Sequence, residues 1–130
     1  MPAPPMISVI DDDVSVRTAT DNLLTSLGYA VLTFASAEEF LQSDTLDETS
    51  CVISDINMPV INGVELLGLL RAQGKRMPFI FITAFPDERM SRQALGAGAI
   101  CLLNKPFEED SLVQSLEQAL QARDDGSSDR

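Results

Sequence analysis

Hydrophobic positions along this chain switch repeatedly between two spacings. Met6–Ile10 is a short apolar run that ends in acids, Asp11, Asp12 and Asp13. Over residues 14–27, Val16, Leu23, Leu24 and Leu27 fall at broadly helical spacing, and Gly28 supplies a C-terminal stop. Ala30–Phe34 reads as a strand, after which Ser36 caps a short helix over Ala37–Leu41 with Glu39 in the capping-box position. Residues 51–54 predict a third strand that ends on Asp55. Val64, Leu66, Leu67, Leu69 and Leu70 predict a helix over residues 63–73, closed by Gly74. Phe79–Thr83 is continuously apolar, as expected of a strand covered on both faces. A helix with a thinner apolar face is expected over residues 87–97, near Gly96 and Gly98, and a fifth strand over 100–103. The last helix is expected over residues 111–122, with Leu112, Val113, Leu116, Ala119 and Leu120 on one side.

Five strands, each followed by a helix, imply parallel strands joined by right-handed crossovers, with helices on both faces of the sheet. The expected fold class is therefore α/β, a flavodoxin-like doubly wound five-stranded parallel sheet of order 2-1-3-4-5 with five helices. One domain is expected over residues 1–122. Residues 123–130 are polar and rich in Gly, Ser and Asp, and are expected to be a flexible tail or the start of a linker.

Composition narrows the function more than the fold. A length of 130 residues buries an adequate core in one domain, and 45% hydrophobic with 22% charged residues is a globular balance. No apolar run approaches a membrane span, and residues 1–5 lack the basic start and apolar core of a signal peptide, so a cytoplasmic location is expected by default. The net charge of −11 repels a phosphate backbone, so direct binding of nucleic acid by this domain is not expected. Cys51 and Cys101 read as small buried hydrophobes. In the expected strand order they stand two strands apart, about 10 Å, too far for a disulfide. The chain contains no histidine, which excludes Ser-His-Asp and Cys-His nucleophile systems, the usual zinc sites and a histidine phosphocarrier.

An open parallel sheet binds ligands beyond the carboxyl ends of its strands. The residues expected there are Asp11 and Asp12 after the first strand, Asp55 after the third, Thr83 on the fourth, and Asn104 and Lys105 after the fifth. Each has a plain structural explanation alone: an aspartate caps the next helix, a threonine suits a strand, and a lysine is solvated. Together they are harder to dismiss, because three crowded carboxylates raise one another's pKa unless a cation sits among them. Oxygen ligands without His or Cys suit Mg²⁺. A carboxylate beside such an ion can attack phosphorus, and a hydroxyl and an ammonium would stabilise the transferring phosphoryl oxygens. Asp13, first past the pair, reads better as an acid at a helix N-terminus.

The segments Val9-Ile10-Asp11-Asp12-Asp13, Ser54-Asp55-Ile56-Asn57-Met58-Pro59 with Gly63, Ile82-Thr83-Ala84 and Asn104-Lys105-Pro106-Phe107 together resemble the signature of response-regulator receivers, over residues 6–122. The stretch from Ser36 to Leu41 and the end of the fourth strand are similar to receivers of the FixJ type, which usually precede a DNA-binding helix-turn-helix domain. The resemblance implies that Asp55 accepts a phosphoryl group from a sensor histidine kinase. It implies that Asp11, Asp12, Asp55 and the backbone carbonyl of Asn57 hold Mg²⁺. Lys105 would pair with the phosphoryl group or with Asp55, and Thr83 would move its hydroxyl onto a phosphoryl oxygen. Pro106 would follow a cis peptide. The implied output is transcription control through an attached domain, with a homodimer formed on phosphorylation through the helix over 87–97 and the strand over 100–103. Met90 and Leu95 lie on that helix.

One departure stands out: family members usually carry Tyr or Phe three residues before the lysine, where this chain has Leu102. Two other readings compete. A phosphate-independent interaction module would have no use for all five residues. An aspartyl-phosphate hydrolase of a different α/β family would carry a second Asp two residues after the nucleophile, where Asn57 stands. The chain is therefore expected not to be an enzyme beyond phosphotransfer onto itself and slow autodephosphorylation.

Overall fold

Successive side chains of a strand face opposite ways, and in this chain both faces of the central strands are apolar, so the sheet must be covered twice. A computed structural model describes residues 4–85, 87–105 and 107–128. The elements follow one another as β1 (Met6–Ile10), α1 (Val14–Ser26), β2 (Ala30–Phe34), α2 (Ala37–Leu41), β3 (Cys51–Asp55), α3 (Gly63–Ala72), β4 (Phe79–Thr83), α4 (Glu88–Gly96), β5 (Cys101–Asn104) and α5 (Glu109–Ser128). All strand pairs are parallel and the order is β2-β1-β3-β4-β5, the flavodoxin-like arrangement expected.

The alternation sorts the core into two layers. Val52, Phe79 and Phe81 pack with Phe40, Leu66, Leu67 and Leu70, on the side of α2, α3 and α4. Ile7, Val9, Ile53, Ile80 and Ile82 pack with Leu24, Leu112, Leu116 and Ala119, on the side of α1 and α5. Burial of side chains this size stabilises by about 1.5–3 kcal/mol each, which is what holds the strand ends in register. The ladder continues past the strands: Asp11 N donates to Phe34 O at 3.1 Å, Ile56 N to Ile82 O at 3.0 Å and Lys105 N to Thr83 O at 2.7 Å. Asp11, Asp55, Thr83 and Lys105 are thereby fixed along one edge.

Side-chain caps fix the starts of α1, α2 and α3. Asp13 caps α1 by accepting from Ser15 N at 2.9 Å. Asn62 caps α3 in a reciprocal pair with Glu65: Glu65 N donates to Asn62 Oδ1 at 2.8 Å and Asn62 N to Glu65 Oε1 at 2.9 Å. Ser36 caps α2 as expected, but the Glu39 carboxylate reaches Ala35 N instead of the cap's own N–H.

Three differences from expectation have physical causes. A single 3₁₀ turn, Leu46–Glu48, buries Leu46 under the sheet, a device too short to leave a periodic signal. The last helix starts two residues earlier than expected, at Glu109, where Glu109 and Asp110 suit the positive helix start. It also runs on to Ser128 rather than ending at Ala122, since nothing between Gln121 and Asp125 breaks a helix. Residues 129–130 of the expected tail, and Pro106 with its expected cis peptide, lie outside the described residues. Cys51 and Cys101 are both free thiols, with β4 between their strands; burial pushes the Cys51 thiol far up from its ordinary value, which keeps it protonated. Among the described residues, no helix is long and apolar enough to cross a membrane.

Candidate functional site

Asp55 ends the central strand of the sheet, so neighbours approach it from both sides. Oxygens of Asp11, Asp12 and Asp55 lie within 4.8 Å of one another. Asp11 is fully buried and Asp55 is 5% exposed, whereas Asp12 faces solvent. Lys105 crosses from the end of β5, placing Nζ 2.9 Å from Asp11 Oδ2 and 3.2 Å from Asp55 Oδ2. One ammonium thus bridges the two buried acids.

The local backbone dictates these positions. Asp11 Oδ1 accepts from Asp13 N at 2.9 Å, which folds the acidic turn back on itself. Arg17, one helical turn past Asp13, donates from Nη1 to the Asp11 carbonyl at 2.6 Å. Asp55 Oδ1 accepts from Asn57 N at 3.1 Å. Gly63 opens α3 directly beneath: a Cβ there would sit 2.8 Å from both the Asp55 carbonyl oxygen and a ring carbon of Phe81, closer than atoms pack. Only glycine lets this helix approach the strand end. Between Asp55 and Gly63, Val60 adopts a left-handed φ of +70° although it is β-branched.

Electrostatics separates the two buried partners. Burial pushes the Asp55 carboxyl up from its ordinary value and the Asp11 charge adds to this, while the Asn57 N–H and Lys105 pull it back only in part. For Lys105, burial works to lower the ammonium, but the adjoining carboxylates of Asp11 and Asp55 leave it above its usual value and firmly charged. Although Lys105 lies close to Asp11 Oδ2, that buried oxygen receives no hydrogen bond of acceptable angle. Its charge is balanced while a lone pair stays open, as a cation ligand requires. With oxygen-only donors and three converging carboxylates, the set fits a hard divalent cation such as Mg²⁺.

Residues 7–117 match the family model described as the response regulator receiver domain. The chain belongs to the response-regulator receiver family. The transcriptional regulatory protein FixJ of Bradyrhizobium diazoefficiens is 38% identical over 114 residues, covering 88% of this chain and 56% of that protein. A solved structure of the response regulator StyR matches with a TM-score of 0.89 at 42% identity, covering 98% of this chain and 65% of the other. One of FixJ-N matches with a TM-score of 0.81 at 33% identity, covering 90% and 94%. The chain spans about half the length of the curated relatives it matches.

In this receiver the residues singled out from sequence come together on one edge. Asp11, Asp12, Asp55 and Lys105 form one cluster, and Thr83 joins it through Asn57, whose Nδ2 donates to the Thr83 hydroxyl at 3.1 Å. Leu102 stands beside Phe81 in the β4–β5 register, partly buried against the layer under α4. The side chains of Arg17 and Asn57 were not anticipated. Arg17 lies four residues past Asp13, the right distance to fold back over the acidic turn, but sequence does not tell which way it points.

Proposed function

We propose that this receiver is a phosphoacceptor switch in which Asp55 takes a phosphoryl group from a sensor histidine kinase. The observation that carries the reading is the bridge of Lys105 between Asp11 and Asp55, within a cluster of three carboxylates whose oxygens converge. Asp11, Asp12, Asp55 and the carbonyl of Asn57 would hold Mg²⁺. When bound, the ion supplies neutralisation of phosphoryl oxygens and of the carboxylates around them.

Chemistry at Asp55 then follows from the chain's own groups. A carboxylate oxygen of Asp55 attacks phosphorus, the bond from phosphorus to the donor nitrogen breaks, and that nitrogen keeps the electron pair. The product is an acyl phosphate. The nucleophile must be deprotonated, and a divalent cation opposes the upward pull that burial and Asp11 exert on its pKa. Lys105 pairs with the phosphoryl oxygens and keeps its charge in place of a mobile counter-ion. Thr83, fully buried at the end of β4, supplies the hydroxyl that follows the new charge. The chain acts only on itself, by this transfer and by slow hydrolysis of the acyl phosphate.

Support for a protein donor comes from the rim. Val14 at the start of α1, Val60 on the loop after β3 and Phe85 on the loop after β4 are large, exposed apolar residues, suited to a partner's apolar helix face. Output is assigned to the α4–β5 surface, where Asp87, Glu88, Ser91, Leu95, Ile100 and Leu102 line a shallow groove. That surface is proposed to form a two-fold contact between phosphorylated copies, which in turn controls transcription through an attached domain. Relatives of which the match covers about half the length, several of them named as transcriptional regulatory proteins, support that last step.

Incubation with acetyl phosphate and Mg²⁺ tests the core of the proposal. One acid-labile phosphate should appear per chain, abolished by EDTA and by Asp55→Asn. Equal labelling of Asp55→Asn, or indifference to EDTA, would remove the reading.

A further inference from the structure

Thr83 is buried and its hydroxyl is already engaged twice. Asn57 Nδ2 donates to Oγ1 at 3.1 Å, and Phe85 N donates to the same oxygen at 3.1 Å. A hydroxyl offers two lone pairs and one proton, so both acceptor positions are filled and only the proton is free. The two donors differ in kind. Phe85 lies two residues beyond Thr83 on the same loop and moves with it. Asn57 comes from the loop after β3, and its own backbone N–H holds Asp55 Oδ1 at 3.1 Å. A single residue therefore grips the acceptor carboxylate with its main chain and the hydroxyl with its side chain.

We propose that the Asn57 carboxamide is a positioning residue, a latch that restrains the Thr83 hydroxyl in the resting protein and opposes the phosphorylated arrangement. The inference rests on the phosphoacceptor reading of Asp55. Drawing the hydroxyl onto a phosphoryl oxygen takes it away from an amide whose backbone stays tied to the strand end, so this bond is lost while the Phe85 bond can travel. Asn57 is exposed, so its released amide is rehydrated, and its removal leaves no cavity. A net hydrogen bond of ordinary strength corresponds to an effect on the order of fivefold in the equilibrium.

The test is a double-mutant cycle on the binding of beryllofluoride, a non-covalent mimic of the phosphoryl group, at saturating Mg²⁺. The parent, Asn57→Ala, Thr83→Val and the double variant are titrated by calorimetry. Asn57→Ala keeps the backbone carbonyl and should bind the mimic about fivefold more tightly, with its melting temperature close to the parent's. In the Thr83→Val background the same substitution should change nothing, because the latch has no hydroxyl to hold. A gain of equal size in both backgrounds, no gain, or weaker binding by Asn57→Ala would overturn the latch alone. If the parent bound no beryllofluoride, the phosphoacceptor reading would fall and the latch with it.

Discussion

Asp55 is held in a place that disfavours its own charge. Burial and the nearby Asp11 raise its carboxyl above the ordinary value, and the Asn57 amide and Lys105 compensate only in part. Between the ordinary value, met in the unfolded chain, and the raised folded value, the native state binds more protons than the unfolded state. Stability therefore falls as pH climbs through that window. Asp55→Asn removes this slope. In metal-free buffer the variant should melt higher than the parent at neutral pH, with the difference shrinking as pH falls below the raised folded value, where residue 55 is uncharged in both proteins. Thermal melts across that range decide it, and a variant that melts lower than the parent at neutral pH would show that lost packing outweighs relieved charge. At this scale the sequence was informative about identity and poor about orientation. Asp11, Asp12, Asp55, Thr83 and Lys105 stand at strand ends, where topology alone brings them together. The Arg17 and Asn57 side-chain bonds depend on rotamers, which leave no trace in spacing.

From the loop after β3 to the first residue of α3 stand two residues whose substitutions should act in opposite directions. Val60 holds φ +70°, a conformation that costs an L residue about 1–2 kcal/mol. Its side chain is 84% exposed, so Val60→Gly forfeits little burial, and the extra unfolded-state freedom of glycine cancels roughly 0.5–1 kcal/mol of the gain. A modest rise in the urea midpoint is expected. Gly63→Ala places a methyl 2.8 Å from the Asp55 carbonyl oxygen and the Phe81 ring, and overpacking of this kind costs about 1–3 kcal/mol. Urea denaturation of both variants checks the pair, and two shifts of the same sign would refute the assignment. Elements with a clear period were legible from sequence, β1, β2 and β4 to the residue, because apolar runs bounded by turns leave little choice. Helix ends were less so. Expected ends at Leu27 and Gln73 became Ser26 and Ala72, since the last residue serves as a cap and not as a helical turn. On α4 the fully buried contact is Ala94, with Met90 partly buried against the same core layer, while Leu95 is half exposed.

For the molecule as a whole, that exposed Leu95 matters more than its helix does. With Ile100, Leu102 and the acidic start of α4 it lines the groove proposed as the two-fold contact between phosphorylated copies. Sedimentation of phosphorylated and unphosphorylated protein at equal concentration should show a dimer only in the former, and monomers in both across the micromolar range would redirect output to a different partner. Leu102, in place of a ring, makes this the prediction most sensitive to side-chain size, so Leu102→Tyr should strengthen the phosphorylated dimer. The strand order was legible because crossovers are right-handed and short. The site, meanwhile, draws its residues from positions 11, 55, 83 and 105, each at the end of a different strand. No stretch of chain shorter than this span holds it. During synthesis on a ribosome Asp11 and Asp12 emerge early, yet the lysine that bridges Asp11 to Asp55 arrives only after all five strands have been made. On the proposed reading, a nascent chain cannot accept a phosphoryl group before Lys105 has emerged: competence at Asp55 is itself a report that the sheet is complete.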